Sequence, residues 1–238
     1  LGQNGNEQAL VLGKAAPVYT QAGDLAGRIT LNADGTYQFA PQDGFTGGVS
    51  IQYTAEGQLG YTGSAVLENK VIPIVNPQKN NVPVAGNDVV YTKQNTSVSS
   101  SLFNNDSDPD GEGLAVTAVI QGASHIALGV ATAVSGTDDN GNPVADMGTL
   151  TVAGDGNCSF NPASGVTGKV NLVTYRISDG AGGGDSGTVF ITTLKYAFNQ
   201  TFAQDDAVLS VKGTEMQGNV LKNDADPEGD KQTVTSAN

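Results

Sequence analysis

Apolar and polar positions alternate in short runs along most of this chain, and Gly, Pro, Asn or Asp interrupts the runs every ~10 residues. Arg28-Ile29-Thr30-Leu31 alternates, Ala33-Asp34-Gly35 turns, and Thr36-Tyr37-Gln38-Phe39 alternates back. Asp-Gly between two alternating segments predicts a β-hairpin, because glycine accepts the positive φ of the tight turn. The pattern returns at Gly148-Thr149-Leu150-Thr151-Val152, Gly154-Asp155-Gly156 and residues 157–160. Strands are also predicted at Ala9-Leu10-Val11-Leu12, at Pro17-Val18-Tyr19-Thr20, and over 49–53, 64–67, 71–74, 89–92, 114–120, 170–177 and 187–194. No segment sustains a helical period of apolar residues. The prediction is an all-β protein of tandem antiparallel β-sandwich modules.

A long-period repeat sets the module boundaries. Asn105-Asp106-Ser107-Asp108-Pro109-Asp110-Gly111 returns 118 positions later as Asn223-Asp224-Ala225-Asp226-Pro227-Glu228-Gly229. Gly27, Asp34, Gly35, Phe39 and Pro41 return 121 positions later as Gly148, Asp155, Gly156, Phe160 and Pro162. Residues 1–80 therefore read as the C-terminal two-thirds of a module, 81–196 as a complete one and 197–238 as the N-terminal third of a next. Both outer modules are incomplete, and residues 76–86, rich in Pro and Asn, read as a stiff linker. Joined end to end, residues 233–238 run into Leu1-Gly2-Gln3 as one continuous module would. Two arrangements fit: a window of a longer tandem array, for which the initial Leu1 also speaks, or a subunit whose incomplete ends complete one another between copies, giving a filament. On either arrangement, a single chain is expected to be frayed or associated at both ends.

Charge narrows the partners. Acidic residues outnumber basic ones by 24 to 11, for a formal net charge of −13. Such a surface cannot neutralise a row of phosphates, which argues against nucleic acid, and it repels an anionic membrane. No apolar run reaches the ~20 residues of a membrane span. Cations are its natural partners. Cys158 is the sole cysteine, so no disulfide forms within the chain. His125 is the sole histidine, which leaves no Ser-His-Asp triad and no histidine-rich metal site. The glycines of residues 180–184 precede no lysine or helix start and read as a hairpin tip. No aromatic platform accompanies the carboxylates, so the chain is not expected to be an enzyme.

The acidic loop is the candidate site. Asp106-x-Asp108-x-Asp110-Gly111 has the D-x-D-x-D-G spacing of a calcium loop, in which a tight turn points alternate oxygens at the ion. It is not an EF-hand: Thr117 and Thr235 stand where the closing glutamate belongs, and a strand follows. The second copy offers Asp224, Asp226, Glu228 and Asp230. A solvated turn of Asp, Pro, Asn and Gly is the plainer alternative. Four or so carboxylates in one short loop repel one another without a cation, and the cluster occurs twice, which favours Ca2+. Asn105, Asn223, Asp88, Asp206, Asp179 and Asp185 are weaker candidates for further oxygens. The insertion at residues 135–143, with Asp138, is a candidate contact surface for a glycan or another cell surface.

Taken in order, residues 81–88, residues 102–111, residues 148–152 and Tyr175-Arg176-Ile177-Ser178-Asp179-Gly180 resemble the cadherin-like, immunoglobulin-like tandem modules of large secreted bacterial adhesins of the RTX type. Residues 35–41 with Gly44-Phe45-Thr46-Gly47 fit the same pattern. The resemblance implies an extracellular or cell-surface location, calcium near module ends, and neighbouring copies of the module as partners. It also implies the role of a spacer that holds an adhesive tip away from the cell, with a host glycan or protein as target. Glu56-Gly57 stands where the second module has Asp179-Gly180, so a ligand there is in doubt in the first.

Overall fold

The computed structural model describes residues 9–73, 80–195 and 200–238. Strands come in three groups along the chain. The first holds β1 (Ala16–Tyr19), β2 (Leu25–Leu31), β3 (Thr36–Pro41), β4 (Gly47–Glu56) and β5 (Thr62–Ile72). The second holds β6 (Asp88–Lys93), β7 (Val98–Ser101), β8 (Ala115–Gln121), β9 (Ser124–Ile126) and β10 (Thr132–Thr137). It continues with β11 (Pro143–Val152), β12 (Asn157–Pro162), β13 (Gly168–Val170), β14 (Val173–Ser178) and β15 (Gly184–Leu194). The third holds β16 (Asp206–Val211), β17 (Met216–Asn219) and β18 (Thr233–Ala237). A single 3-10 turn, Leu102–Asn104, is the only helical element among the described residues. The chain is all-β, as predicted.

Two compact units result, residues 80–199 and the combination of 1–79 with 200–238. In the second, the last three strands are added at the sheet edges left by the first five. One sheet runs β1-β2-β3-β17 and the other β16-β5-β4-β18. The unit of residues 80–199 has the equivalent neighbours, β10-β11-β12-β7 and β6-β15-β14-β8, linked through β13 into one continuous sheet that ends on β9. Its strands follow the chain from β6 to β15, whereas the other unit enters at β16 and resumes at β1. The two are circular permutations of one fold. Even the register agrees: Asp88 lies opposite Val189 and Asp206 opposite Leu67 in parallel pairs.

Each unit buries its own core. Along β4, Val49, Ile51, Tyr53 and Ala55 are buried at every second position, and along β14 Val173, Tyr175 and Ile177. This is the period of a strand with one face to the core. Met216, Val220, Val234 and Ala237 of the third group join Ile29, Leu31, Phe39 and Leu67 in one apolar cluster. Leu102, Met147, Leu150, Phe160 and Ile191 pack around Tyr175 in the other. Both predicted Asp-Gly hairpins form. Gly35 and Gly156 each take φ +82°, and a Cβ on Gly156 would stand 2.7 Å from the Phe103 ring.

Three sequence readings are corrected. Residues 9–12 are not a strand: Leu10 donates to the Ala237 carbonyl at 2.8 Å and a turn follows, with Gly13 at φ +76°. Of the stiff linker predicted over 76–86, residues 76–79 lie outside the described residues and 80–86 are built into the unit, since Val84 and Ser107 exchange both backbone hydrogen bonds, at 2.8 and 3.0 Å. The insertion is not a loose loop: it comprises the end of β10, paired with β13 at Gly136 and Thr137, a turn over 138–142 and the start of β11. Ile74, at the end of the predicted strand over 71–74, lies outside the described residues. The sequence leads one to expect a single chain frayed or associated at both ends; among the described residues, the pieces 9–73 and 200–238 instead pair with each other within one chain.

Candidate metal centre

The acidic loop does not act as one ring of carboxylates. It divides its side chains among three directions, because consecutive turn residues face different neighbours. Asp106 points inward: its Oδ1 accepts from the Gly86 amide at 2.7 Å and from the Tyr175 hydroxyl at 3.0 Å. Asp110 faces the start of the unit, accepting from the Asn81 amide at 2.6 Å and from Asn81 Nδ2 at 2.8 Å. Asp108 lies between them. Its Oδ1 accepts from the amides of Asp110 and Glu112, at 2.8 and 3.2 Å, which fixes the turn.

Asp108, Glu112 and Asp179 each place a carboxylate oxygen within 4.8 Å of the other two. Asp179 arrives from the end of β14. Its Oδ1 accepts from the amides of Ala181 and Gly183 at 2.8 and 2.9 Å, and its Oδ2 from Asn80 Nδ2 at 2.7 Å. The Asn80 bond, followed by the backbone donors, holds the Asp179 carboxyl below the usual carboxylate range. Glu112 is pushed up, by desolvation first and then by the neighbouring carboxylates of Asp108, Asp110 and Asp179. Asp108 Oδ2 and Glu112 Oε2 are buried without a hydrogen-bond partner. Buried anionic oxygens without donors are costly. An all-oxygen set of three carboxylates is the donor chemistry of a hard divalent cation, so the residues fit Ca2+.

Glu112 went unrecognised in the sequence because the D-x-D-x-D-G frame starts at Asp106. The loop residues that face the cluster are Asp108 and Glu112, four positions apart, with Asp110 between them turned away. Asp179 was a weaker candidate and is in the group, whereas Asp106, Asp110 and Asp88 are not.

In the permuted unit the loop keeps its turn. Asp226 Oδ1 accepts from the amides of Glu228 and Asp230 at 3.0 and 3.1 Å, and Glu228 Oε2 from the Gln200 amide at 3.2 Å. Among the described residues no group of three carboxylates forms there. The sequence reading set Glu56-Gly57 against Asp179-Gly180; the strand registers move this by one, so Gly57 stands at the place of Asp179, its amide donating to the Tyr61 carbonyl in a turn.

Beneath each loop lies a buried cluster that the sequence reading missed. Tyr53 Oη has four oxygens around it: the Gln204 carbonyl at 2.9 Å, the Val220 carbonyl at 3.0 Å, and Asp206 Oδ2 and Asp224 Oδ1, both at 3.1 Å. Tyr175 Oη repeats this with the Gly86 carbonyl at 2.9 Å and Asp106, next to the buried Asp88. A phenol has one proton to donate, so the carboxyls cannot all be satisfied as anions. Burial, then the Asp106 charge, pushes Asp88 up to about 8, and burial pushes Asp106 up to about 7. Asp206 and Asp224 shift alike, to about 8 and about 7, again chiefly by burial. Both tyrosines are raised by desolvation and these carboxyls. The available signal was a tyrosine on the equivalent strand of both modules, Tyr53 and Tyr175, with the pairs Asp88/Asp206 and Asp106/Asp224 sharing the 118-residue offset of the acidic loop.

The remaining candidates are accounted for locally. Asp138 Oδ1 accepts from the amides of Asn140 and Asn142 at 2.9 and 2.8 Å, and its Oδ2 from Asn142 Nδ2 at 3.0 Å. Asn105 and Asn223 brace the loops through Nδ2, to the Asn87 and Asp205 carbonyls at 2.8 and 3.1 Å. Asp185 Oδ2 accepts from the Ala85 amide at 2.9 Å. Cys158 is buried on β12, and burial pushes its thiol up to about 12.

Residues 80–192 match the family model of the bacterial Ig domain, which supports a bacterial Ig-like domain there. Among curated proteins, none matches the chain. Among solved structures, the chain is similar at 17% identity to an endo-fucoidan hydrolase, MfFcnA9, of glycoside hydrolase family 107. That alignment covers 75% of this chain and 27% of the hydrolase, with a TM-score of 0.29. No helix among the described residues is long and apolar enough to cross a membrane.

Proposed function

We propose that this chain is a calcium-binding structural segment, a spacer of Ig-like modules in an extracellular or cell-surface bacterial protein that carries an adhesive or filamentous part. One observation carries the reading: three carboxylates converge at the start of residues 80–199, with two of their oxygens buried and unpartnered. Asp108, Glu112 and Asp179 would hold the ion, and the ion would balance charge that otherwise repels. Asp179 and Asp110 also hold Asn80 and Asn81, the first described residues of that unit, so the ion would tighten its leading segment. A stiffer leading segment suits a spacer. The match of residues 80–192 to a bacterial Ig domain supports the same class of function.

Calcium titration of the full chain tests this by calorimetry and by the Tm of each unit. Calcium is expected to raise the Tm of the 80–199 unit, and a chelator to lower it. Asp179→Asn and Glu112→Gln are each expected to weaken binding ten-fold or more, as loss of one charged ligand does. Binding unaltered in both variants, or a Tm indifferent to calcium, overturns the proposal.

A further inference from the structure

Residues 200–238 form three strands that have no sheet of their own. β16 pairs with β5 from Asp206↔Leu67 to Val211↔Ile72, β17 with β3 from Met216↔Phe39 to Asn219↔Thr36, and β18 with β4 from Thr233↔Glu56 to Ala237↔Tyr53. Backbone bonds outside the strands follow suit: Val220 donates to the Gly35 carbonyl at 3.0 Å, Val234 to Ala33 at 2.9 Å, and Asn238 and Gln52 exchange two bonds of 2.9 Å. Within the segment, the only strand-like pairing among the described residues is the bridge Phe202↔Ala225. Met216, Val220, Val234 and Ala237, each at most 4% exposed, are buried against side chains of residues 9–73. The buried polar cluster is also split, with Tyr53 on one segment and Asp206 and Asp224 on the other.

Residues 9–73 without this segment would leave β3, β4 and β5 with open edges and an uncovered core, which is a template for any matching strands. The two segments are joined only through residues 74–199. Every pairing named above is therefore reproduced unchanged when the segment comes from a second copy, which is the condition for exchange of an element between identical chains. We propose that residues 200–238 of a second copy of this chain can fill the place they fill here, joining copies head to tail by strand exchange. In the exchanged form the donor brings Asp206 and Asp224 and the acceptor brings Tyr53, so two copies share the buried cluster that one chain completes here. This proposal does not depend on calcium. The closed chain is favoured when dilute, because its segment is held at a high effective concentration, and exchange is favoured when chains refold crowded together.

Gln38 and Gln217 face each other in the β3–β17 register and both are exposed, so they report on the pairing. Full chains carrying Gln38→Cys and Gln217→Cys would be unfolded, mixed, refolded under reducing conditions over a wide range of concentrations, and then oxidised. The expected result is a disulfide-linked heterodimer and a doubling of mass in light scattering, both growing with concentration. The buried Cys158 of the unaltered chain gives no covalent dimer under the same treatment. The double variant Gln38→Cys/Gln217→Cys is expected to close within the chain when dilute and to form a ladder when concentrated. A monomer in light scattering at every concentration overturns the proposal, whether or not the double variant closes on itself.

Discussion

At the scale of single residues, the tyrosine hydroxyls under the acidic loops repay attention more than the loops' outer carboxylates. Tyr175→Phe leaves the Gly86 carbonyl and the Asp106 carboxyl short of a donor in a buried place. The expected cost is ~1–3 kcal/mol, the range for a buried group stripped of its partner. Tyr53→Phe should cost a similar amount in the other unit, read from unit-specific hydrogen exchange or a calorimetric Tm. The carboxyls also fix a pH dependence. Asp88 and Asp206 lie at about 8, and Asp106 and Asp224 at about 7, all raised from the ordinary value of 3.8. The folded state thus binds more protons than the unfolded one across that interval, so stability falls as pH rises. Their contribution is fully present below about pH 4 and is lost on rising through about 7 to 8. In chelator, Tm is expected to decline from pH 5 to pH 8.5, and Asp88→Asn to flatten that decline by removing one titrating group. A Tm that rises over this interval would contradict the assignment. None of this was legible from residue types alone. The D-x-D-x-D-G spacing shows which oxygens lie on one loop, but which way each faces depends on Tyr175 and Asp179, delivered by a strand far along the chain.

At the scale of elements, the sequence was most legible where one local rule suffices. Alternation located β4 and β14, and Asp-Gly located both hairpins, because pleat and turn are decided within a few residues. It failed at residues 9–12. An apolar run in that place covers the edge of a core and needs no strand partner: Leu10 and Leu12 pack on the cluster while Val11 is exposed. It also misread residues 80–86, whose hydrogen bonds go to the acidic loop and to Asp179 and Asp185, contacts that no local pattern announces. Gly156→Ala tests the hairpin logic. The new methyl would meet the Phe103 ring at 2.7 Å in a backbone of φ +82°. Steric and conformational terms together should cost ~1–4 kcal/mol. Gly165→Ala, also at positive φ (+77°) but with open space around its Cβ, isolates the conformational term at ~1 kcal/mol. Urea unfolding of the two variants gives the difference, and equal costs would show that Phe103 moves aside.

At the scale of the whole molecule, the repeat offset was readable, and it already implied that residues 200–238 and residues 9–73 are parts of one fold. A repeat cannot say which copy supplies which part, because equivalent segments carry the same surfaces wherever they sit. That is a matter of connectivity and concentration, and the structure supplies one solution to it, the closed permutation. The consequence is a division of stability that ignores chain order. Met216 and Val234 lie over 140 residues from the strands they pack on, with residues 80–199 between. Met216→Ala removes buried side-chain volume from the permuted core and should cost ~2–5 kcal/mol. The loss should appear in hydrogen exchange at residues 25–72 as well as at 206–237, while residues 88–194 keep their protection. The unit of residues 80–199 has its own closed set of strands and its own core, so nothing in its packing depends on Met216. Should β16–β18 lose protection while β2–β5 keep theirs, the two segments would not be one cooperative unit. Loss confined to one unit but shared across both of its segments would show that the permuted sandwich folds as a single body.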